Sequence, residues 1–510
     1  MSAETPQRDR LMWHRLFRLD PTIGQSLQSQ LRQALVKAIL DGHVSRDVAL
    51  PSSRGLAREL GVARSTVVLA YQHLVDERYL VSHERRGYFV NPEILTGRVD
   101  DGTPRPPPAE AAGKGGGAGD ETHRAAGGPE TVVDLLAQRN IERPLDWQRF
   151  EYPFIYGQAD PKLFPVNDWR EACRLSLRVD AIGRWSRDRV DHDDELLVEQ
   201  IHTRVLPRRG VWAERDEILV TTGAQNALFL IAQLMLDREA TVGIEEPCYA
   251  DARNIFELFT PHRVTFPVGE SGVRCDERIG GCRLMYVTPS HQCPTATTMP
   301  LDARRELLAL AGRHGVTIVE DDYESELNFV GKPTPALKSL DMEHRVIYVG
   351  SLSKTLAPGL RVGFMVGPRE FIRQARALRR LMYRHPPGNN QRTIAHFLAL
   401  GHHDSALLRL TRTFKRRWQV MDRALGSHTP LSSLAPTFGG SAFWVRLPEH
   451  VRARELERLA AARGIVINAG DHYFADPDGP TNYCRLGFSS IEETLIEPGI
   501  DRLAALIETM

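Results

Sequence analysis

The sequence predicts a multidomain chain: a small, mainly α N-terminal domain, a linker, and a large α/β domain that ends in a smaller α/β part. Three observations lead there. At 510 residues the chain is too long for one hydrophobic core. Residues 96–130 are dense in Gly, Pro and Ala and nearly lack large apolar side chains, so they cannot bury enough surface to offset ordering entropy. Beyond residue 130, short Val- and Ile-rich runs alternate with amphipathic stretches, the mark of βα units around a mainly parallel sheet. The domains are therefore expected at 1–95 and 131–510, with a flexible linker at 96–130.

Composition narrows the partners. Hydrophobic residues make up 42% and charged ones 25%, as in ordinary globular protein, and Lys+Arg and Asp+Glu tie at 65 each. Any nucleic-acid contact must then come from a local patch rather than from bulk charge. No apolar run approaches the ~20 residues that a bilayer span needs. The opening MSAETPQRDRLMWHR lacks an apolar signal core. Cys173, Cys248, Cys275, Cys282, Cys293 and Cys484 are scattered, without zinc-like spacing. A cytoplasmic protein with neither metal nor membrane partner is expected.

The small domain opens with a helical repeat over residues 25–41, where Leu27, Leu31, Leu35, Ile39 and Leu40 recur and Gly42 supplies a stop. In residues 50–81, LPSSRGLARELGVARSTVVLAYQHLVDERYLV, Pro51, Ser52 and Ser53 start a helix with Leu56, Ala57 and Leu60 on its apolar face. Gly61 and Val62 make a tight turn, and a second helix runs from about 63 to 78. Residues 79–82 and 88–90 alternate like short strands around a tip at 83–87. Helix, turn, helix and hairpin form the frame of a winged helix-turn-helix. The second helix begins Ala63-Arg64-Ser65-Thr66: arginine can grip a guanine edge in two places, and the hydroxyls suit phosphates or bases. Arg85 and Arg86 at the tip suit a minor groove or the backbone. Residues 1–95 hold 13 Lys+Arg against 10 Asp+Glu, only +3, so charge alone is a weak pointer to DNA.

In the large domain, residues 351–363, SLSKTLAPGLRVG, set one lysine among hydroxyls with an arginine seven residues on. A lysine partly desolvated beside other cations has the depressed pKa that a Schiff-base amine needs. Ser353 and Arg361 suit a phosphate. A surface loop between strand and hairpin is the plainer reading of the same residues. Glu320, Asp321 and Asp322 end a strand, where α/β sheets place their ligands. A pyridinium nitrogen needs such a carboxylate to stay protonated. Gly223, Ala224 and Gln225 join the strand EILVT to a helix, and small residues there let backbone N–H groups meet a phosphate.

These motifs carry two resemblances. LPSSRGLARELGVARSTVVLAYQHLVDERYLVSHERRGYFV resembles the GntR-type winged helix-turn-helix of bacterial regulators over nearly its whole length. The order of glycine turn, aromatic, strand-end Asp with Tyr, SxSK and RxG over about residues 145–510 resembles fold-type I aminotransferases. Joined by a linker, the two halves resemble the MocR/GabR family of transcriptional regulators. The resemblance implies pyridoxal 5'-phosphate as cofactor, with Lys354 forming the internal aldimine and Asp321 pairing with the pyridine nitrogen; Asp322 is the rival. It implies that Tyr323 hydrogen-bonds the phenolic oxygen and Tyr249 stacks on the ring. Gly223, Ala224, Gln225, Ser351, Ser353 and Arg361 would surround the phosphate, with His291 also near the cofactor. Arg485 would receive an effector carboxylate. Ser53, Arg54, Arg64, Ser65, Thr66, Arg85 and Arg86 would contact operator DNA. The implied regulator is a domain-swapped homodimer that senses a small amino acid or amine by external aldimine formation. Two other readings stay open: an aminotransferase that also binds DNA, and a repressor whose large domain is a cofactor-free scaffold.

The chain also departs from the family patterns. Arg86-Gly87-Tyr88 stands where many GntR-type domains carry Gly-Ser-Gly. Cys293 precedes Pro294 and Ala296 replaces Gly in the turn that aminotransferases write Asn-Pro-Thr-Gly, while His291 and Gln292 are characteristic of the regulators. Acids at 191–195 lie in a segment expected near the entrance, which suggests an effector with a second polar group. Arg373, Arg376 and Arg380, like Arg409, Arg412, Arg416 and Arg417, are read as solvated helix faces rather than a second DNA surface. His402-His403-Asp404 is read as a loop, not a metal site.

Overall fold

The structure is a computed structural model. It describes most of residues 19–95 and 144–510, apart from 42, 45–47, 159, 331–332, 429–430 and 434–438, together with a few isolated positions before 19 and between 135 and 141. The chain divides into two units, residues 1–128 and 129–510, and each is described on its own. The linker expected at 96–130 and the helix stop at Gly42 lie outside the described residues.

In the first unit, helices α1 (Leu27–Leu40), α2 (Ser53–Leu60) and α3 (Arg64–Asp76) precede a hairpin of β1 (Leu80–His83) and β2 (Gly87–Val90). The Ser52 side chain caps α2 by accepting from Gly55 N at 3.1 Å, and Gly61 ends it in the left-handed region at φ 65°. That turn sets α3 across α2. Leu31, Leu35 and Ile39 of α1 meet Leu56 of α2 and Val67, Tyr71 and Leu74 of α3 in one core. The hairpin closes it with Leu80 and Val90, paired in antiparallel register.

The second unit is built on an eight-stranded sheet in the order β4-β11-β10-β9-β8-β5-β6-β7. Its strands are β4 (Ile218–Thr221), β5 (Thr241–Glu246), β6 (His262–Gly269), β7 (Gly272–Val273), β8 (Leu284–Val287), β9 (Thr317–Asp322), β10 (Val346–Ser351) and β11 (Gly363–Val366). β10, β9, β8, β5 and β6 run parallel, and β11 is antiparallel to both β10 and β4. The carboxyl ends of β4, β5, β8, β9 and β10 therefore open on one edge, where the segments leaving them can converge. β6, which opens on His262 and Arg263 and carries Thr265 among its apolar residues, and the two-residue β7 are the strands that apolar runs alone leave out. Helices α4 (Ala224–Met235), α5 (Ala250–Glu257), α6 (Leu301–His314) and α7 (Arg369–Tyr383) pack on the sheet.

The smaller part is not simply the tail after residue 430. Its sheet, in the order β12-β13-β16-β15, comes from β12 (Ser432–Ser433), β13 (Ala442–Arg446), β15 (Asn468–Ala469) and β16 (Tyr483–Gly487). Its core, however, also takes Tyr152 and Phe154, Leu327 and Phe329, and Phe414 and Met421 from the long helix α8 (His402–Gly426). A short strand β3 (Tyr152–Pro153) pairs in parallel with β14 (Ile465–Val466). The tail alone does not supply enough apolar surface, so earlier segments complete its core.

Candidate functional site

At the carboxyl edge of the large sheet lies a cavity of about 190 Å³. Its walls include Gly223, Ala224, Gln225, Tyr249, Asp321, Tyr323, Ser351, Ser353, Lys354 and Arg361, all anticipated from sequence. Residues from five separate strand ends thus meet in one place. His291 and Arg485 do not line the cavity, although both are buried nearby.

Strand alternation separates Asp321 from its rival. Successive side chains of β9 point to opposite faces. Asp322 accepts from Arg209 Nε and Tyr348 Oη, both at 2.8 Å. Burial works against its charge, but Arg209 beside it holds the carboxyl below the ordinary range. Glu320, on the same face, accepts from the backbone N–H groups of Leu337 and Lys338 at 2.7 and 2.8 Å. Asp321 alone faces the cavity. Tyr286 Oη donates to its Oδ2 at 3.0 Å, while Oδ1 is buried with no hydrogen-bond partner. Burial pushes this carboxyl up to about 7. A buried acceptor without a donor is costly, and a protonated ring nitrogen is the donor it lacks.

The phosphate end fits as well. Gly223 sits at φ 95° before α4, and a Cβ there would lie 2.9 Å from Arg361 Nη2, so only glycine fits the turn. No side chain caps α4, so its first N–H groups remain for an anion. Arg361, itself at φ 49°, donates to Thr222 O at 3.2 Å, which aims it across the turn. Ser353 Oγ is tied to Val362, donating to its carbonyl at 3.1 Å and accepting from its N–H at 2.9 Å. Tyr249 Oη and Gln225 Nε2 both donate to Asp251 Oδ2, at 2.7 and 2.6 Å, and this fixes the Tyr249 ring at the cavity wall.

Lys354 Nζ lies 4.9 Å from the centre of the Tyr156 ring and 5.8 Å from that of Tyr323. The buried Tyr323 hydroxyl has no partner, leaving a donor for a phenolate-like oxygen. The Arg485 guanidinium lies 3.4 Å from the centre of the same Tyr156 ring, and its Nη1 donates to Cys293 Sγ at 3.4 Å. Arg485 is 1% exposed, and no carboxylate among the described residues forms an ion pair with it. His291 is buried beside Gly439 and Gly440, where burial lowers its pKa and keeps the ring neutral.

Tyr156, Gly157, Gln158, Asp251 and Pro358 line the cavity without having been singled out from sequence, and Cys293 was noted only as a departure. Tyr156 follows Tyr152 and Phe154 in an alternating aromatic run, the one local signal for it.

The acids at 191–195 serve a different purpose from the one their position suggested. Asp193 bonds Arg376 and Arg379 at 2.7 and 2.6 Å and accepts from Val220 N at 3.2 Å, bracing β4. Asp194 caps the helix Glu195–Gln200 and pairs with Arg392 at 2.8 Å. Neither lines the cavity. Paired with Asp193, Arg376 is half-buried, and Arg417, which pairs with Asp160 at 2.6 Å, is deeply buried, so neither is a freely solvated face. His402 and His403 open α8 instead of forming a loop, with His403 beside Thr355. No group of three metal-ligating side chains occurs among the described residues.

In the first unit, Arg54, Arg64, Ser65, Arg85 and Arg86 are exposed, while Ser53 and Thr66 are half-buried. Arg64 is the first residue of α3, with Nε 3.5 Å from Ser53 Oγ. Arg85 stands at φ 60° on the hairpin tip, and Arg86 lies over the Phe89 ring at 5.9 Å. The set lies at the starts of α2 and α3 and at the tip of the hairpin.

Comparison with known proteins agrees with both halves. Residues 27–90 match the family of bacterial regulatory proteins, gntR family, and residues 194–503 match aminotransferase class I and II. The transcriptional regulator TauR of Rhodobacter capsulatus is 39% identical over 96% of this chain and 98% of its own length. The probable rhizopine catabolism regulatory protein MocR of Rhizobium meliloti is 29% identical over 95% and 94%. The pyridoxine biosynthesis regulator PdxR of Corynebacterium glutamicum is 28% identical over 93% and 94%. Among solved structures, the α-aminoadipate aminotransferase LysN of Thermus thermophilus, complexed with N-(5'-phosphopyridoxyl)-L-leucine, superposes with a TM-score of 0.64 at 31% identity. The alignment covers 70% of this chain and 92% of that one.

Fold and pocket together define a winged-helix DNA reader fused to a pyridoxal-phosphate-binding domain of the fold-type I aminotransferase class. The chain belongs to the MocR/GabR family of DNA-binding transcriptional regulators, and pyridoxal phosphate is its cofactor.

Proposed function

We propose that the protein is a cytoplasmic, homodimeric regulator that binds operator DNA and senses an amino acid or related primary amine at Lys354. The observation that carries this reading is Arg485, a buried guanidinium without a carboxylate partner, stacked on the ring that Lys354 also faces. An effector bearing a carboxylate supplies the counter-charge that Arg485 lacks, while its amine reaches the cofactor beside Lys354. When bound, pyridoxal phosphate supplies an aldehyde that combines reversibly with primary amines.

The chain's own groups do the rest. Lys354 would hold the cofactor through its side-chain amine, Asp321 would meet the ring nitrogen, Tyr249 would lie against the ring and Tyr323 would donate to its phenolic oxygen, while the Gly223 turn, Ser351, Ser353 and Arg361 would take the phosphate. Arg485 selects a carboxylate, because a neutral group there would leave a buried cation unpaired. Regulation then requires that effector-bound and effector-free dimers differ in affinity for the operator, and the ratio of effector affinities for those two states sets the response. Adding amino acids to the cofactor-loaded protein should shift the cofactor spectrum and change operator affinity together. A spectral change without any change in operator binding would refute the sensor reading, and rapid interconversion of amino and keto acids would favour an aminotransferase.

A further inference from the structure

Beside the cofactor cavity lies a second chamber of about 40 Å³, and the two share Gly157, Gln158, Lys354 and Pro358 as a common wall. Its other walls are largely apolar, with Leu163, Leu356, Leu410 and Phe414 among them. Most of its polar groups are already occupied. Asp160 is held by Arg417 at 2.6 Å, Ser489 Oγ donates to Gln158 O at 2.7 Å, and Thr355 lies against His403.

Glu324 is different. It lies 4% exposed at the chamber wall, and its Oε1 accepts from Ser441 Oγ at 2.6 Å. Among the described residues no lysine, arginine or histidine forms an ion pair with it. The nearby His291 is kept neutral by burial and supplies no charge. One hydroxyl donor does not supply a counter-charge to a carboxylate this deep.

We infer that this chamber receives the far end of the effector, and that Glu324 selects an amino acid carrying a second amino group there. The inference rests on the sensor reading given above. In this arrangement the effector's carboxylate meets Arg485, its α-amine meets the cofactor, and its distal ammonium makes a charged hydrogen bond to Glu324. A distal carboxylate would meet like charge and be rejected. The chamber admits only a few non-hydrogen atoms, so the arm is short and its methylenes lie against the leucines.

The test is a spectral titration of the full-length, cofactor-loaded protein with L-ornithine, L-norvaline and L-glutamate. Ornithine should saturate the response at a concentration about tenfold or more below norvaline, the worth of one charge-assisted hydrogen bond, with glutamate weakest. Glu324→Gln should bring the ornithine-to-norvaline ratio close to one. Leu410→Phe, which fills the chamber without touching the carboxylate, should weaken ornithine more than it weakens L-alanine. Equal or tighter saturation by norvaline or glutamate overturns the inference while leaving the amine sensor intact, as does an unchanged ratio in Glu324→Gln. A spectrum indifferent to every amine overturns both.

Discussion

Arg485 and Arg64 are both arginines suited to an anion, yet their settings are opposite. Arg485 is 1% exposed, lies flat on Tyr156 and is bonded to Cys293, whereas Arg64 stands exposed on the first turn of a helix. The cost of desolvating Arg485 is met on folding, so its geometry is fixed before any ligand arrives and it can discriminate sharply. As a DNA contact, Arg64 would be desolvated only on binding, and its contribution would be correspondingly smaller and more sensitive to salt. The pocket is built for selectivity and the helix end for recruitment.

That contrast can be tested from the strongest effect downward. Lys354→Ala should abolish the yellow colour of the bound cofactor altogether, seen in the absorbance spectrum, while operator binding by the first unit persists. The neighbouring acids come next. Asp321→Asn should weaken cofactor affinity by about 100-fold, the loss of a buried charged hydrogen bond, with no loss of folding stability. Asp322→Asn should do the reverse: it leaves Arg209 buried without its counter-charge and should cost about 3 kcal/mol in denaturant unfolding. Comparable losses of stability in both variants would contradict the division of roles along β9.

The same residue gives a pH signature when the cofactor is removed. Asp321 is raised to about 7 in the folded chain, so its folded form holds a proton that the unfolded form has already lost. Its contribution to stability is complete below about pH 4 and disappears as the pH rises through about 7. Thermal midpoints of cofactor-free protein should fall across that window, and Asp321→Asn should flatten part of the slope.

The DNA side should give smaller numbers. Arg64→Ala should weaken operator binding by about tenfold with the cofactor spectrum unchanged, as measured by fluorescence anisotropy. Arg86→Ala should cost less and act mainly on the salt dependence, reducing the logarithmic slope by about one. An Arg86→Ala loss larger than that of Arg64→Ala would move the reading surface from α3 to the wing.

Much of this was legible in the chain. Helical spacing placed α1 to α3, the Gly61 turn fixed their connection, and SLSK with RVG located the lysine and phosphate side of the pocket. Period and spacing report which residues share a face of one element, but not which distant element covers it. Only the family resemblance preferred Asp321 over Asp322, because a strand buried on both faces carries no period to part them; Arg209, 113 residues away, and Tyr348 show which side Asp322 serves. Asp193 and Arg376 each looked like surface in isolation, yet they are drawn inward together with Arg379 because the charges neutralise one another, while Asp191, Glu195, Arg373 and Arg380 stay exposed. Tyr156 escaped notice for the same reason, since its two cationic neighbours lie roughly 200 and 330 residues further along the chain.

Tyr156 has a mechanical consequence. Four residues before it, Tyr152 and Pro153 are stitched to Ile465 and Val466 in the smaller subdomain, and Gly487 N bonds Phe154 O at 3.0 Å. The ring at the end of this tether meets both the amine and the guanidinium. A rotation of the smaller subdomain that pulls on the tether would therefore pull on the ring as well. On the sensor reading, pocket and subdomain would be mechanically linked through this ring, and a swap of tyrosine for a slimmer side chain would loosen the link.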